Sequence, residues 1–193
     1  MGYFIMEEDL TFGCSMTEYP ELPDRISFLS GVWIELPNSE PLEFGIDCTA
    51  GEQPNHFFNK HIPVFSAAMV EQFRLTGADN FQAFPAVLVN REEGLKWDSY
   101  FAVNVLGVID AASDESVQNV IMGGDKDDGV PALVHYEKLV IDPSRVKGAL
   151  MFRELQSPDV LIFDDKVREF LKANRPEEGW QIRLRKVESV SGV

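Results

Sequence analysis

The sequence predicts an α+β fold: mostly antiparallel sheets of short strands with two main helices, at about 66–76 and 164–174. Three observations carry that expectation. Residues 62–88, IPVFSAAMVEQFRLTGADNFQAFPAVL, place a helix start, a helix stop and a strand-like run in immediate succession. A second helical spacing follows Asp164, with Val167, Phe170 and Leu171 at i, i+3, i+4. Elsewhere the apolar residues fall in short runs bounded by Gly, Pro and Asn, about nine in all, which suits strands that segregate from the helices.

Taken in order, residues 1–25 carry little pattern beyond short apolar pieces at 3–6 and 10–14, before Pro20 and Pro23 break the chain. The run 32–36 around Trp33 and the run 42–46 are expected to pair antiparallel, because only five residues join them. A polar loop spans 47–60. Ser66 is a good N-cap, since its hydroxyl can accept from the backbone two or three residues on. Phe65 and Val70 flank it as a hydrophobic staple, and Pro63 holds Ile62 extended. Met69, Val70 and Phe73 share one face, and Gly77 suits a left-handed stop. The run 81–89 is strand-like, with Pro85 arguing for an edge position or a break. A turn at 90–94 leads to a return strand at 97–105. Further strands are expected at 120–122, 136–141, 150–155, 160–163 and 180–187. Asp164 caps the second helix, and Asn174 with Pro176 ends it. Trp33, Trp97 and Trp180 all fall in these predicted strands and read as core.

With 193 residues, 45% of them hydrophobic and 25% charged, the chain suits a single domain over 1–193, at most two packed halves, 1–90 and 91–193. No apolar run approaches the roughly 20 residues that cross a bilayer. The start MGYFIMEEDL lacks the basic region of a signal peptide, so a cytoplasmic setting is expected, and with it reduced thiols at Cys14 and Cys48. The net charge is −15 and uneven. Residues 1–128 hold 22 acidic and 6 basic side chains, whereas residues 129–193 hold 10 and 11. Such a field repels nucleic acid and anionic membrane and speeds encounter with a basic partner.

Motifs for chemistry are lacking. His56 and His61, in HFFNKH, have no cysteine pair to complete a zinc site. The acidic loop 125–129 lacks the spacing and closing glutamate of a calcium loop. Neither G-x-x-x-x-G-K-[ST] nor G-x-S-x-G occurs. The expectation is therefore no catalytic residue, no metal and no cofactor.

Three stretches together resemble a known family. They are the 62–88 segment with its PVFS helix entry, the segment YFAVNVLGVIDAASDES with Tyr100, Asn104, Val105, Asp110 and Ser116, and the region from Lys138 to Leu184 with Phe152-Arg153 ahead of Val160. They are similar to immunity protein family eleven of bacterial polymorphic toxin systems. The resemblance implies a non-enzymatic antidote that binds and neutralises a cognate, basic toxin domain. An acidic inhibitor can occlude a basic active-site cleft, as close charge pairs do at nuclease–inhibitor interfaces. The residues expected at that contact are Glu92, Glu93, Asp110, Asp114, Glu115, Asp125, Asp127 and Asp128, all in predicted loops. Two alternatives make different demands. An enzyme acting on a small cationic or metal-bound substrate needs a deep pocket of converging carboxylates. An oligomeric scaffold needs a broad exposed apolar patch and a symmetric dimer.

Overall fold

Strands that are apolar on both faces build this protein. The computed structural model describes residues 2–11, 13–37, 40–49, 52–124 and 130–190. In chain order the first strands are β1 (Tyr3–Glu8), β2 (Cys14–Glu18), β3 (Leu42–Cys48), β4 (Phe57–Phe58) and β5 (Val64–Ser66), followed by helix α1 (Ala67–Thr76). Next come β6 (Phe81–Asn90), β7 (Leu95–Val105), β8 (Val108–Ile109), β9 (Val117–Met122), β10 (Leu133–Lys138) and β11 (Val140–Ile141). The chain closes with α2 (Pro143–Val146), β12 (Met151–Glu154), β13 (Ser157–Asp164), α3 (Asp165–Ala173) and β14 (Ile182–Ser189).

Strands hold 46% and helices 13%, so the fold is mostly β, and the expected α+β class with two main helices is corrected. The physical reason is length. Helices α1 and α3 have only 10 and 9 residues, while β4, β5, β8 and β11 have two or three. Strands that short carry no readable alternation and exist only because longer strands lie beside them.

Two six-stranded sheets and one ribbon result. One sheet has the order β2-β3-β6-β7-β5-β4, the other β11-β14-β1-β13-β12-β8, and β9 pairs with β10 separately. Strand β1 therefore lies among strands from the end of the chain. Most pairings are antiparallel, but β3/β6, β12/β8 and β11/β14 are parallel. Alternation sorts the side chains. On β7, Phe101, Val103 and Val105 meet a central core, while Tyr100 and Ala102 face the opposite side. On β13, Leu161 and Phe163 join the same central core and Ile162 the outer one. The central core is thus shared by both sheets, α1 and α3. Each sheet's other face carries a core of its own, and burial on both sides explains the near-continuous apolar runs.

Local chemistry explains α1. Ser66 accepts from the Met69 N–H at 3.3 Å, and Gly77 takes φ +86° at the stop. The Gly77 and Ala78 N–H groups donate to Arg74 and Phe73 carbonyls, which satisfies the last turn. On α3, Asp164 accepts from the Lys166 N–H at 2.8 Å.

Several local expectations fail. Residues 32–36 form no strand and make no pair with 42–46. Side-chain amides hold that segment instead. The Ile34 N–H donates to Gln82 Oε1 at 2.9 Å, Gln82 Nε2 donates back to the Ile34 carbonyl at 2.9 Å, and Asn104 Nδ2 donates to the Val32 carbonyl at 2.8 Å. Trp33, read as core, is 68% exposed. Strand β6 is central and not an edge, but the break that Pro85 also suggested has a counterpart beside it, a register shift against β7 between Ala86 and Leu88. The β3 ladder begins one residue later, at Leu42 opposite Ala86, so the missing N–H of Pro85 costs no bond there. Finally, Cys14 and Cys48 are joined by a disulfide, with Cα atoms 4.0 Å apart, where reduced thiols were expected. Pairing of β2 with β3 sets the two residues directly opposite each other.

Candidate functional site

The acidic residues named from sequence do not form one cluster. Glu92 and Glu93 sit on the β6–β7 turn, where both N–H groups donate to Asn90 Oδ1 at 3.1 Å. Asp110 follows β8, and Asp114 and Glu115 lie on the turn before β9, whose Glu115 N–H donates to Ser113 Oγ at 3.3 Å. All five are exposed. Asp125, Asp127 and Asp128 lie outside the described residues.

The tertiary structure brings two of the five together. Asp110 and Asp114 line a polar cleft of about 460 Å³ that also takes in Gln118 of β9, Pro131, Arg145 and Gln156. Among its described lining residues the cleft has one cation, Arg145, whose Nη1 lies 3.6 Å from Asp110 Oδ2 and whose Nε lies 3.3 Å from Asp142 Oδ2. Among the described residues, Asp114, Glu115, Glu92 and Glu93 make no ion pair. Unneutralised exposed carboxylates leave the local field negative.

The floor beside this cleft is organised by Glu154 and Arg153, adjacent residues on β12 that are both fully buried. Glu154 Oε2 accepts from the Gln156 and Ser157 N–H groups at 2.7 and 3.0 Å, shaping the turn onto which β10 docks. Burial pushes the Glu154 carboxyl above its ordinary pKa, against the hydrogen bonds from Tyr136, Gln156 and Ser157 that favour the charge. Arg153 Nη1 donates to the Pro158 carbonyl at 2.6 Å, while its Nε and Nη2 have no partner among the described residues. Burial pulls its pKa down to about 10, partly offset by Asp159. A buried charge with unused donors is costly. Arg153→Met is therefore expected to raise the urea-unfolding free energy by about 1–4 kcal/mol, because a similar volume is kept without the charge. A loss of stability in R153M would mean that the guanidinium is well satisfied.

A different line of polar groups has no signature in the sequence. His56 Nδ1 lies 2.7 Å from Ser66 Oγ, and His56 Nε2 lies 3.7 Å from Glu178 Oε1. Only the fold brings these three together. Ser66 is buried and caps α1, so one of its lone pairs is committed to the Met69 N–H and its role is structural. The imidazole borders a cleft of about 580 Å³ with Tyr100, Glu178 and Gln181. Burial lowers the His56 pKa, although Glu178 pulls the other way. A neutral imidazole accepts from or donates to the serine without further change.

The profile of the Imm11 immunity protein family matches residues 17–189. The chain belongs to the Imm11 immunity protein family. No curated protein matches it. As an Imm11 member it has an immunity function against a toxin, with a partner toxin to bind. Immunity proteins of this family are generally non-enzymatic. The matched span covers the sheet that carries Glu92 and Glu93 except the first three residues of β2, and the whole cleft of Asp110 and Asp114. Among the described residues, no helix of this Imm11 protein is long and apolar enough to cross a membrane.

Proposed function

We propose that this Imm11 protein neutralises a cognate toxin domain of a polymorphic toxin system by direct binding through its acidic surface, and that the toxin's contact face is basic. The observation that carries this reading is the exposed pair Asp110 and Asp114 at one cleft, with Glu115 next to Asp114 in the chain, and with Arg145, the one cation among the described lining residues, already shared with Asp142. The excess charge of residues 1–128 supplies the wider field that steers such a partner. Glu92 and Glu93 extend the field on the other sheet. Binding occurs where the toxin would act on its target inside the cell, a cytoplasmic setting.

The test uses the C-terminal domain of the large secreted protein encoded immediately upstream. Calorimetry is expected to give tight binding at 50 mM salt that weakens as salt rises. The triple variant Asp110→Asn/Asp114→Asn/Glu115→Gln is expected to associate roughly tenfold more slowly at low salt, with the difference fading at high salt. No binding at low salt, or no such neighbouring gene, overturns the reading. Binding with no salt dependence overturns its acidic-surface part.

A further inference from the structure

Strand β9 is exposed at every one of its six positions. Four of them are large and apolar: Val117, Val120, Ile121 and Met122, at 49, 64, 71 and 62% exposure. Among the described residues β9 pairs only with β10, so its outer row of N–H and C=O groups is open. The ribbon is anchored through β10, where Val134 is buried and its N–H donates to the Gln156 carbonyl at 2.8 Å. Tyr136 adds a bond to Gln156 Oε1 at 3.4 Å. Strand β9 is thereby held out as the last strand of the ribbon.

Proteins normally protect such an edge with charge, proline, a β-bulge or very short length, and of these β9 has a bulge at Ile121. The segment Val117-Gln118-Asn119-Val120-Ile121-Met122 has no charged residue and no proline. One of the two irregularities in its pairing with β10 skips Ile121, whose side chain is largely in water. An open, uncharged, apolar edge is a template for another strand, and left uncovered it invites aggregation.

We infer that β9 is the strand onto which the toxin domain adds an extended strand of its own, with Val120, Ile121 and Met122 seated in apolar pockets of the toxin. Main-chain bonds supply affinity and the side chains specificity, as in other strand additions. The inference rests on the toxin-binding reading above and names the surface. Charge selects the occupant. Asp114 and Glu115 immediately precede β9, and Gln118 of β9 lines the same cleft as Asp110 and Asp114. A second copy on this edge would bring together two bodies of net charge −15, each with those carboxylates at the root of the strand. A basic toxin meets an apolar strand whose root carries the opposite charge.

The experiment compares the full chain with Val120→Ser/Ile121→Ser against the upstream-encoded toxin domain by calorimetry. Thermal melting and sedimentation are run on the same samples. Both side chains are mostly in water, so the variant is expected to melt with wild type while its Kd rises at least tenfold. Wild-type binding with a change in Kd below tenfold overturns the assignment of β9 and leaves the toxin-binding reading intact. Absence of wild-type binding at low salt overturns that reading and this one together. A wild-type dimer that the double substitution converts to monomer gives the edge to a second copy and overturns the toxin as its occupant. Should the variant melt well below wild type, Ile121→Thr alone, with its branched β carbon kept, replaces it under the same tenfold criterion.

Discussion

Reducing the Cys14–Cys48 disulfide is expected to cost the protein about 3–4 kcal/mol, from the entropy released when a loop of this size is opened in the unfolded chain. The two cysteines are 34 positions apart and cross-link β2 to β3, so the bond ties an edge strand and the intervening segment to the sheet. For a chain of this length the loss corresponds to a fall in melting temperature of roughly 10 °C. Scanning calorimetry with and without dithiothreitol checks it, and Cys14→Ser/Cys48→Ser is expected to behave like the reduced protein. Free thiols in the purified protein, or equal melting temperatures for the two states, would sink the expectation. The bond follows from register. Once Met16 pairs with Ile46 and Ser15 with Asp47, Cys14 has no position but opposite Cys48. The compartment argument that predicted thiols rested on the lack of a signal-peptide pattern at the start of the sequence and had no access to that register.

Phe73→Ala is expected to cost about 3–5 kcal/mol, the usual price of emptying a large aromatic site in a core. Phe73 is fully buried on α1, and its ring lies 5.3 Å from Phe163, 5.3 Å from Phe65 and 6.3 Å from Phe81. Those partners belong to different sheets, Phe163 to one and Phe65 and Phe81 to the other, so the void would open where both sheets and the helix meet. Relaxation is limited there because each wall is a paired strand. Phe73→Leu keeps most of the volume and is expected to cost much less, under about 2 kcal/mol. Urea unfolding of both variants decides the point. A cost below about 1.5 kcal/mol for F73A would mean that the sheets collapse onto the gap.

Function was legible only in part. The exposure of the acidic turn residues Asp110, Asp114 and Glu115 was legible from sequence because short polar turns between apolar runs stay at the surface. The meeting of Asp110 and Asp114 at one cleft, with Glu92 and Glu93 left on the other sheet, depends on which strands neighbour which. The exposed β9 was not legible at all. Val120-Ile121-Met122 has the composition of a core strand, and hydrophobicity cannot tell a buried strand from one left open for a partner. Trp33 misled in the same way, and the meeting of His56 with Ser66 and Glu178 was not legible because it spans distant parts of the chain.

What the residues determined by themselves is local. The cap at Ser66, the left-handed stop at Gly77, the cap at Asp164, the turn at 90–94 and the uneven charge all follow from side-chain chemistry within a few positions. Tertiary structure alone decided the β-rich class, the parallel pairings, the central place of β6 and the Cys14–Cys48 bond. Each of those depends on strand neighbours far apart in sequence. A strand's partners are chosen by burial and register across the whole molecule, and that choice leaves no mark in any single stretch of residues.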